Sequence, residues 1–179
     1  GIHATDWSWS TLIEDFDLDG NNDIYITNGI VKRPNDMDYI SFLSNEEISS
    51  GLVQNPSLKN SDLLKEMPDG KVSNYAFKNL SDLIFSDVSE EWGLDFKGYS
   101  NGATYDDFDN DGDNDLIINN INDKAILYRN NRKNINVNHI EIKFNGEDFN
   151  VYGVGAKVTI WSDGKSYYKE NFLNKGFMS

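Results

Sequence analysis

Eight aspartates in two short blocks carry the densest chemistry of this chain. Asp15, Asp17, Asp19 and Asp23 stand at positions 1, 3, 5 and 9 of one loop, and Asp107, Asp109, Asp111 and Asp115 repeat that spacing. Alternate residues of a tight loop point to one side, so these carboxylates converge. Gly20 and Gly112, at position 6, allow the positive φ that such a sharp turn needs. Asn21 and Asp113, at position 7, would offer backbone carbonyls. Carboxylates a few ångström apart disfavour each other's ionisation, and a hard cation removes that penalty. Oxygen-only ligands on a flexible loop favour Ca2+ over Mg2+. Neither block holds His or Cys, so zinc is not expected. Position 12, a bidentate Glu in an EF-hand, is Ile26 in one block and Ile118 in the other. The expectation is therefore Ca2+ in two strand–loop–strand sites, with Asp15, Asp17, Asp19, Asn21 and Asp23 at one and Asp107, Asp109, Asp111, Asp113 and Asp115 at the other.

The blocks belong to an internal repeat. Residues 7–28 and 99–120 align without gaps, and ten of the 22 pairs are identical. Most identities fall in the motif D-F-D-x-D-G-x-N-D, which argues against two unrelated solvated acidic turns. A weaker echo follows, Phe77-Lys78-Asn79 against Tyr128-Arg129-Asn130. It lies farther from the acidic block in the first copy, which implies an insertion of about 41 residues, roughly 32–70.

Each acidic block joins two β-branched or aromatic runs, which read as strands: 9–13 and 24–27 in the first copy, 103–105 and 116–118 in the second. Further strands are expected at 75–77, 83–88, 125–128, 139–144, 156–161 and 166–169, with turns at Asn145-Gly146 and Asp163-Gly164. In the insertion, 38–48 and 61–67 read as two short helices over one side of a sheet, the second stopped by Pro68. The chain is thus mainly β with a short helical insertion and a C-terminal β-hairpin region.

Composition narrows the function. The 179 residues carry 16 Lys+Arg against 30 Asp+Glu, a formal charge of −14. Such a chain lacks the basic footprint that nucleic acid requires, and an anionic membrane would repel it. Two Ca2+ ions would bring the charge only to −10, so nucleic acid stays disfavoured. With 38% hydrophobic and 13% aromatic residues the chain can bury a core. It has no cysteine, which removes disulfides and Cys nucleophiles. No apolar run of about 18 residues is present, so membrane insertion is not expected. The absence of an initiator Met and of a signal-like start reads as a segment of a longer protein.

The motif D-F-D-x-D-G-x-x-D-[IL] before an apolar strand resembles the FG-GAP repeats of integrin α-chain propellers and the related bacterial VCBS repeats. Phe85-Ser86-Asp87-Val88-Ser89 with Trp92-Gly93-Leu94, and Ala125-Ile126-Leu127-Tyr128-Arg129-Asn130-Asn131, are similar to other segments of that repeat type. Residues 138–144 and 153–160 resemble the start of the ASPIC/UnbV module, a combination found in bacterial relatives of cartilage acidic protein. The resemblance implies antiparallel β-propeller-type blades, here a partial propeller, over residues 1–138, and part of a second β module over 139–179. It also implies calcium in the inter-strand loops and an extracellular, cell-surface or periplasmic setting.

Catalysis has little support in the residues. The only histidines are His3 and His139, and neither adjoins a Ser nucleophile motif. Gly153-x-Gly155 is half of a dinucleotide fingerprint without its helix. The leading expectation is a non-catalytic, calcium-binding adhesion or binding module for a protein or glycan ligand. A carbohydrate-binding or carbohydrate-active fragment, with Trp7, Trp9, Trp92 or Tyr99 stacking on sugar rings, and a purely structural domain of a surface protein are the alternatives.

Overall fold

The structure, a computed structural model, describes residue 2 and residues 4–45, 61–131 and 140–177. In chain order, β1 (Ser8–Glu14) and β2 (Asp23–Asn28) flank the first acidic block, and α1 (Met37–Leu43) and α2 (Ser61–Glu66) lie in the insertion. β3 (Val72–Ser73), β4 (Tyr75–Asn79) and β5 (Phe85–Asp87) follow. The second copy holds β6 (Lys97–Gly98), β7 (Ser100–Asp106), β8 (Asp115–Asn120) and β9 (Ile126–Tyr128), and β10 (Lys157–Ser162) and β11 (Lys165–Glu170) close the chain. The architecture is mainly β, in several small antiparallel sheets.

The two repeats fold alike. One sheet has the order β1-β2-β4-β5 and the other β7-β8-β9. In each, the acidic block is the loop of the first hairpin, closed by Glu14 opposite Asp23 and by Asp106 opposite Asp115. Each first strand carries a bulge at the same place, between Ser8 and Thr11 and between Ser100 and Ala103. Along β1, Ser10, Leu12 and Glu14 are buried while Thr11 and Ile13 are exposed, the period of a strand with one solvated face. Leu12, Tyr25 and Ile118 are fully enclosed, and with Phe16, Ala76, Val88, Leu94, Ala103 and Leu116 they form one core shared by both repeats.

β1 and β7, the edge strands of the two sheets, lie side by side. A buried polar chain ties the repeats together there. The Thr27 hydroxyl donates to the Asn101 carbonyl (2.8 Å), and the Asn28 N–H donates to Asn74 Oδ1 (2.8 Å). Asn74 Nδ2 then donates to Ser100 Oγ (2.9 Å), which donates to Asn120 Oδ1 (2.7 Å). Satisfied buried polar groups of this kind fix one register between two sheets. Gly29 (φ 119°) crosses the same seam, where an added Cβ would sit 2.3 Å from the Gly98 carbonyl oxygen.

The insertion differs from expectation in two ways. α1 ends at Leu43, earlier than the expected helix, and Glu46, Glu47 and Ile48 lie outside the described residues. Its start is capped by Asp36, whose side chain accepts from the N–H groups of Asp38 and Tyr39. Among the described residues the main core cluster takes no side chain from the two helices, and Tyr39 of α1 is buried apart from it. They stand on a neck instead: Ile30 bridges Gly70, Arg33 N–H donates to the Pro68 carbonyl (2.9 Å), and the Tyr39 hydroxyl donates to Leu63 (3.2 Å).

Two expected strands are corrected. Of 83–88 only Phe85–Asp87 is extended, because Ser81, Asp82 and Leu83 all have positive φ in the tight turn from β4. Ile140–Phe144 forms no strand, and His139 lies outside the described residues. Among the described residues no strand pairs with 140–144, and Ile140 and Ile142 stay exposed, so alternation alone does not hold the segment extended. The expected Asn145-Gly146 hairpin turn is absent with it, the turn falling at Asp148 and Phe149. Asp163-Gly164 does turn, with φ of 50° and 76°, the positive pair that suits a two-residue hairpin. Gly153 and Gly155 are turn glycines with positive φ, which accounts for their spacing without a nucleotide.

One loop position carries strain that its copy relieves. Leu18 and Asn110 are equivalent, and both have positive φ, 56° and 61°. A left-handed non-glycine residue costs roughly 1–2 kcal/mol, and Asn is among the few that visit this region readily. Leu18→Asn is expected to stabilise the chain by about 0.5–1 kcal/mol, a rise of about 1–4 °C in a thermal melt. A fall in Tm would mean that Leu18 contributes more through packing than it loses in backbone strain.

Candidate metal centre

Each acidic loop is held in shape by its own first and last carboxylates. Asp15 accepts from the backbone N–H groups of Asp19 (3.0 Å) and Gly20 (2.7 Å), and Asp107 accepts from Asp111 (3.1 Å) and Gly112 (3.0 Å). These bonds wind the loop so that positions 1, 3 and 5 face inward. Gly20 (φ 92°) and Gly112 (φ 95°) take the sharp bend. Oxygen atoms of Asp15, Asp17 and Asp19 then lie within 4.8 Å of one another, as do those of Asp107, Asp109 and Asp111. Either triad can hold a metal ion.

Asp23 and Asp115 do something further. Asp23 Oδ2 accepts from Phe16 N–H (3.1 Å) and Oδ1 from Asn79 N–H (2.9 Å). Asp115 repeats this with Phe108 (3.2 Å) and Asn130 (2.8 Å). Each is a buckle joining the start of the loop to the third strand of its sheet, and both are buried. Asn21 turns its backbone N–H and its side-chain amide onto Asp19 (both 2.9 Å), and Asp113 donates its N–H to Asp111 (3.3 Å).

Two residues of each site come from the echo after the acidic block. Lys78 forms ion pairs with Asp17 and with Asp19, the latter at 3.1 Å. Arg129 pairs with Asp109 (2.6 Å) and Asp111 (3.3 Å). The neighbouring Asn79 and Asn130 supply the buckle N–H groups. Asn130 also links the two loops, its side-chain amide donating to the Phe16 carbonyl (2.9 Å). Phe77-Lys78-Asn79 and Tyr128-Arg129-Asn130 mark the repeat in sequence; that they close the sites is visible only once β4 and β9 pair beside β2 and β8.

Burial and mutual repulsion perturb the carboxyls of the first loop. Burial raises the Asp15 carboxyl against the two backbone N–H bonds that lower it, and Asp19 and Asp17 add repulsion. Burial also pushes Asp23 up to about 6, opposed by the Asn79 and Phe16 N–H groups and reinforced by Asp17 and Asp15. The hydrogen bond to Asp17 in turn raises Lys78. A cleft of about 510 Å³ opens between the loops, lined by Phe16, Trp92, Leu94, Leu116 and Tyr128, with Asp17, Arg129, Asn130 and Asn131 among its polar residues. His3 and His139 lie outside the described residues. No described helix is long and apolar enough to cross a membrane.

Comparison with protein-family models, with curated proteins and with solved structures gives no match.

Proposed function

We propose that this chain is a calcium-stabilised, non-catalytic binding or adhesion module of an extracellular, periplasmic or cell-surface protein, built from propeller-type blades of the FG-GAP/VCBS class. The observation that carries the reading is the duplicated site: two Asp triads in equivalent hairpin loops, each with a basic side chain among its carboxylates. Lys78 and Arg129 mark the place where positive charge is wanted. The donor set fits a hard cation, being all oxygen, with three carboxylates per loop and Asn21 or Asp113 adjacent. Asp15, Asp17 and Asp19, and Asp107, Asp109 and Asp111, would hold the ions, with Asp23 and Asp115 behind them. Calcium would supply charge neutralisation, and the side chains named here would fix the hairpin and the Asn130 link between the loops.

The cleft favours binding over hydrolysis. Its aromatic floor suits the apolar face of a sugar ring or a partner side chain. Among its described lining residues Asp17 is the one carboxylate, and Lys78 pairs with it, whereas glycoside hydrolysis needs two. A protein or glycan ligand at this surface is the reading we adopt, and the −14 charge speaks against nucleic acid.

Equilibrium dialysis with calcium tests the proposal. Two calcium ions per chain are expected, and Asp17→Asn or Asp109→Asn should each remove one. Retention of none, with the fold intact by circular dichroism, overturns the metal assignment.

A further inference from the structure

The seam between β1 and β7 is filled by three residues from far along the chain, and each is held by a different kind of contact. Lys175 Nζ lies 3.3 Å from Asp106, donates to the Tyr105 carbonyl (2.9 Å) and sits 4.6 Å from the centre of the Tyr105 ring. Gly176 passes where no side chain fits. An added Cβ would lie 2.5 Å from Ser10 Oγ, 2.6 Å from the Ala103 carbonyl oxygen and 2.7 Å from Leu12 Cδ2. Phe177 stacks on Trp9, with centroids 5.9 Å apart at 22°, and its N–H donates to Ser10 Oγ (3.0 Å). Ser10 and Leu12 are fully buried with the strap in place.

These contacts amount to a recognition code. A cation is read by an acid, a carbonyl and a ring face; a missing side chain is read by close backbone approach; an aromatic ring is read by an indole. We propose that the β1/β7 seam is a peptide-docking groove selective for a basic–Gly–aromatic segment, which residues 175–177 occupy in cis as a pseudo-ligand. Its partner in trans is a protein segment of that chemistry, and the acidic surface favours a basic one. The tethered strap competes at an effective concentration of roughly mM, so a free segment binds strongly only when the strap is out. Its acidic contact, Asp106, adjoins the triad residue Asp107, so the groove is probed with calcium held saturating.

The test uses the full chain with the strap expelled. Gly176→Val puts side-chain atoms where Ser10, Leu12 and Ala103 already stand, and the double change Lys175→Glu with Phe177→Ala removes the two anchors without overpacking. The peptide Asn-Lys-Gly-Phe, blocked at both ends, is titrated at saturating calcium while the Trp9 indole N–H is followed by NMR. Saturable shifts are expected in either variant at a peptide concentration at least tenfold below that needed with the unmodified chain. Peptides with Val for Gly or Glu for Lys should give none. Should Gly176→Val fail to fold, the double variant decides alone. Absence of shifts in the folded variants, equal titration of the unmodified chain, or equal binding of the Val peptide overturns the groove.

Discussion

Asp23→Ala should cost about 3–5 kcal/mol of stability, and calcium should not restore it. The carboxylate is fully buried, and each oxygen accepts a backbone N–H, one from Phe16 and one from Asn79. A hydrogen bond to a charged group contributes about 1.5–3 kcal/mol, and leaving a buried donor unsatisfied costs about 1–3 kcal/mol. Two such donors are stranded at once, on opposite sides of the hairpin loop. Asp115→Ala should behave alike, since Phe108 and Asn130 hold the same places. Asp17→Asn is the informative contrast. It lies in the triad, and its ion pair with Lys78 is part-exposed, so its loss in EDTA should stay within about 1 kcal/mol. Its effect should appear only with calcium, as the lost contribution of one site. Urea denaturation of the three variants, with calcium and with EDTA, separates the roles. If Asp23→Ala matches Asp17→Asn in both conditions, Asp23 is no buckle and acts only as a ligand.

That distinction was half legible in the chain. Spacing alone grouped Asp15, Asp17, Asp19 and Asp23 as equals, because period and composition say which side chains converge but not which accept backbone N–H groups. Both first hairpins were legible because their runs are β-branched and enclosed by an in-register repeat. Lys78 and Arg129 were visible as an echo but not as site residues. Their approach depends on β4 and β9 pairing beside the loops, a contact made across the insertion in the first copy. Ile140 and Ile142 failed in the opposite way: the alternation was present, and among the described residues no neighbouring strand uses it. The strap at 175–177 had no local signal at all. A lysine, a glycine and a phenylalanine acquire meaning only against Asp106, Ser10 and Trp9.

Calcium should reverse the pH dependence of stability. In the metal-free chain burial lifts Asp23 from the ordinary 3.8 to about 6, and burial raises Asp15 as well. A carboxyl raised on folding keeps a proton that the unfolded chain has lost. Its contribution is full below about pH 4 and is lost as pH rises through about 6. Metal-free Tm should therefore fall between pH 4.5 and pH 7. Calcium needs Asp15 ionised and is favoured by a charged Asp23 behind the triad, so its contribution grows over that window. At 100 times Kd, each filled site adds about 2.7 kcal/mol, so two add about 5 kcal/mol. For a chain of this size that is roughly 10–20 °C at pH 7, most of which should vanish at pH 4.5. Magnesium should give a smaller shift, since it prefers near-ideal octahedral geometry and keeps its water. Differential scanning calorimetry at both pH values, with calcium, magnesium or EDTA, reads all of this. A metal-free Tm that rises toward pH 7, or a calcium shift of the same size at pH 4.5, would place the stabilising charge somewhere other than the two acidic loops.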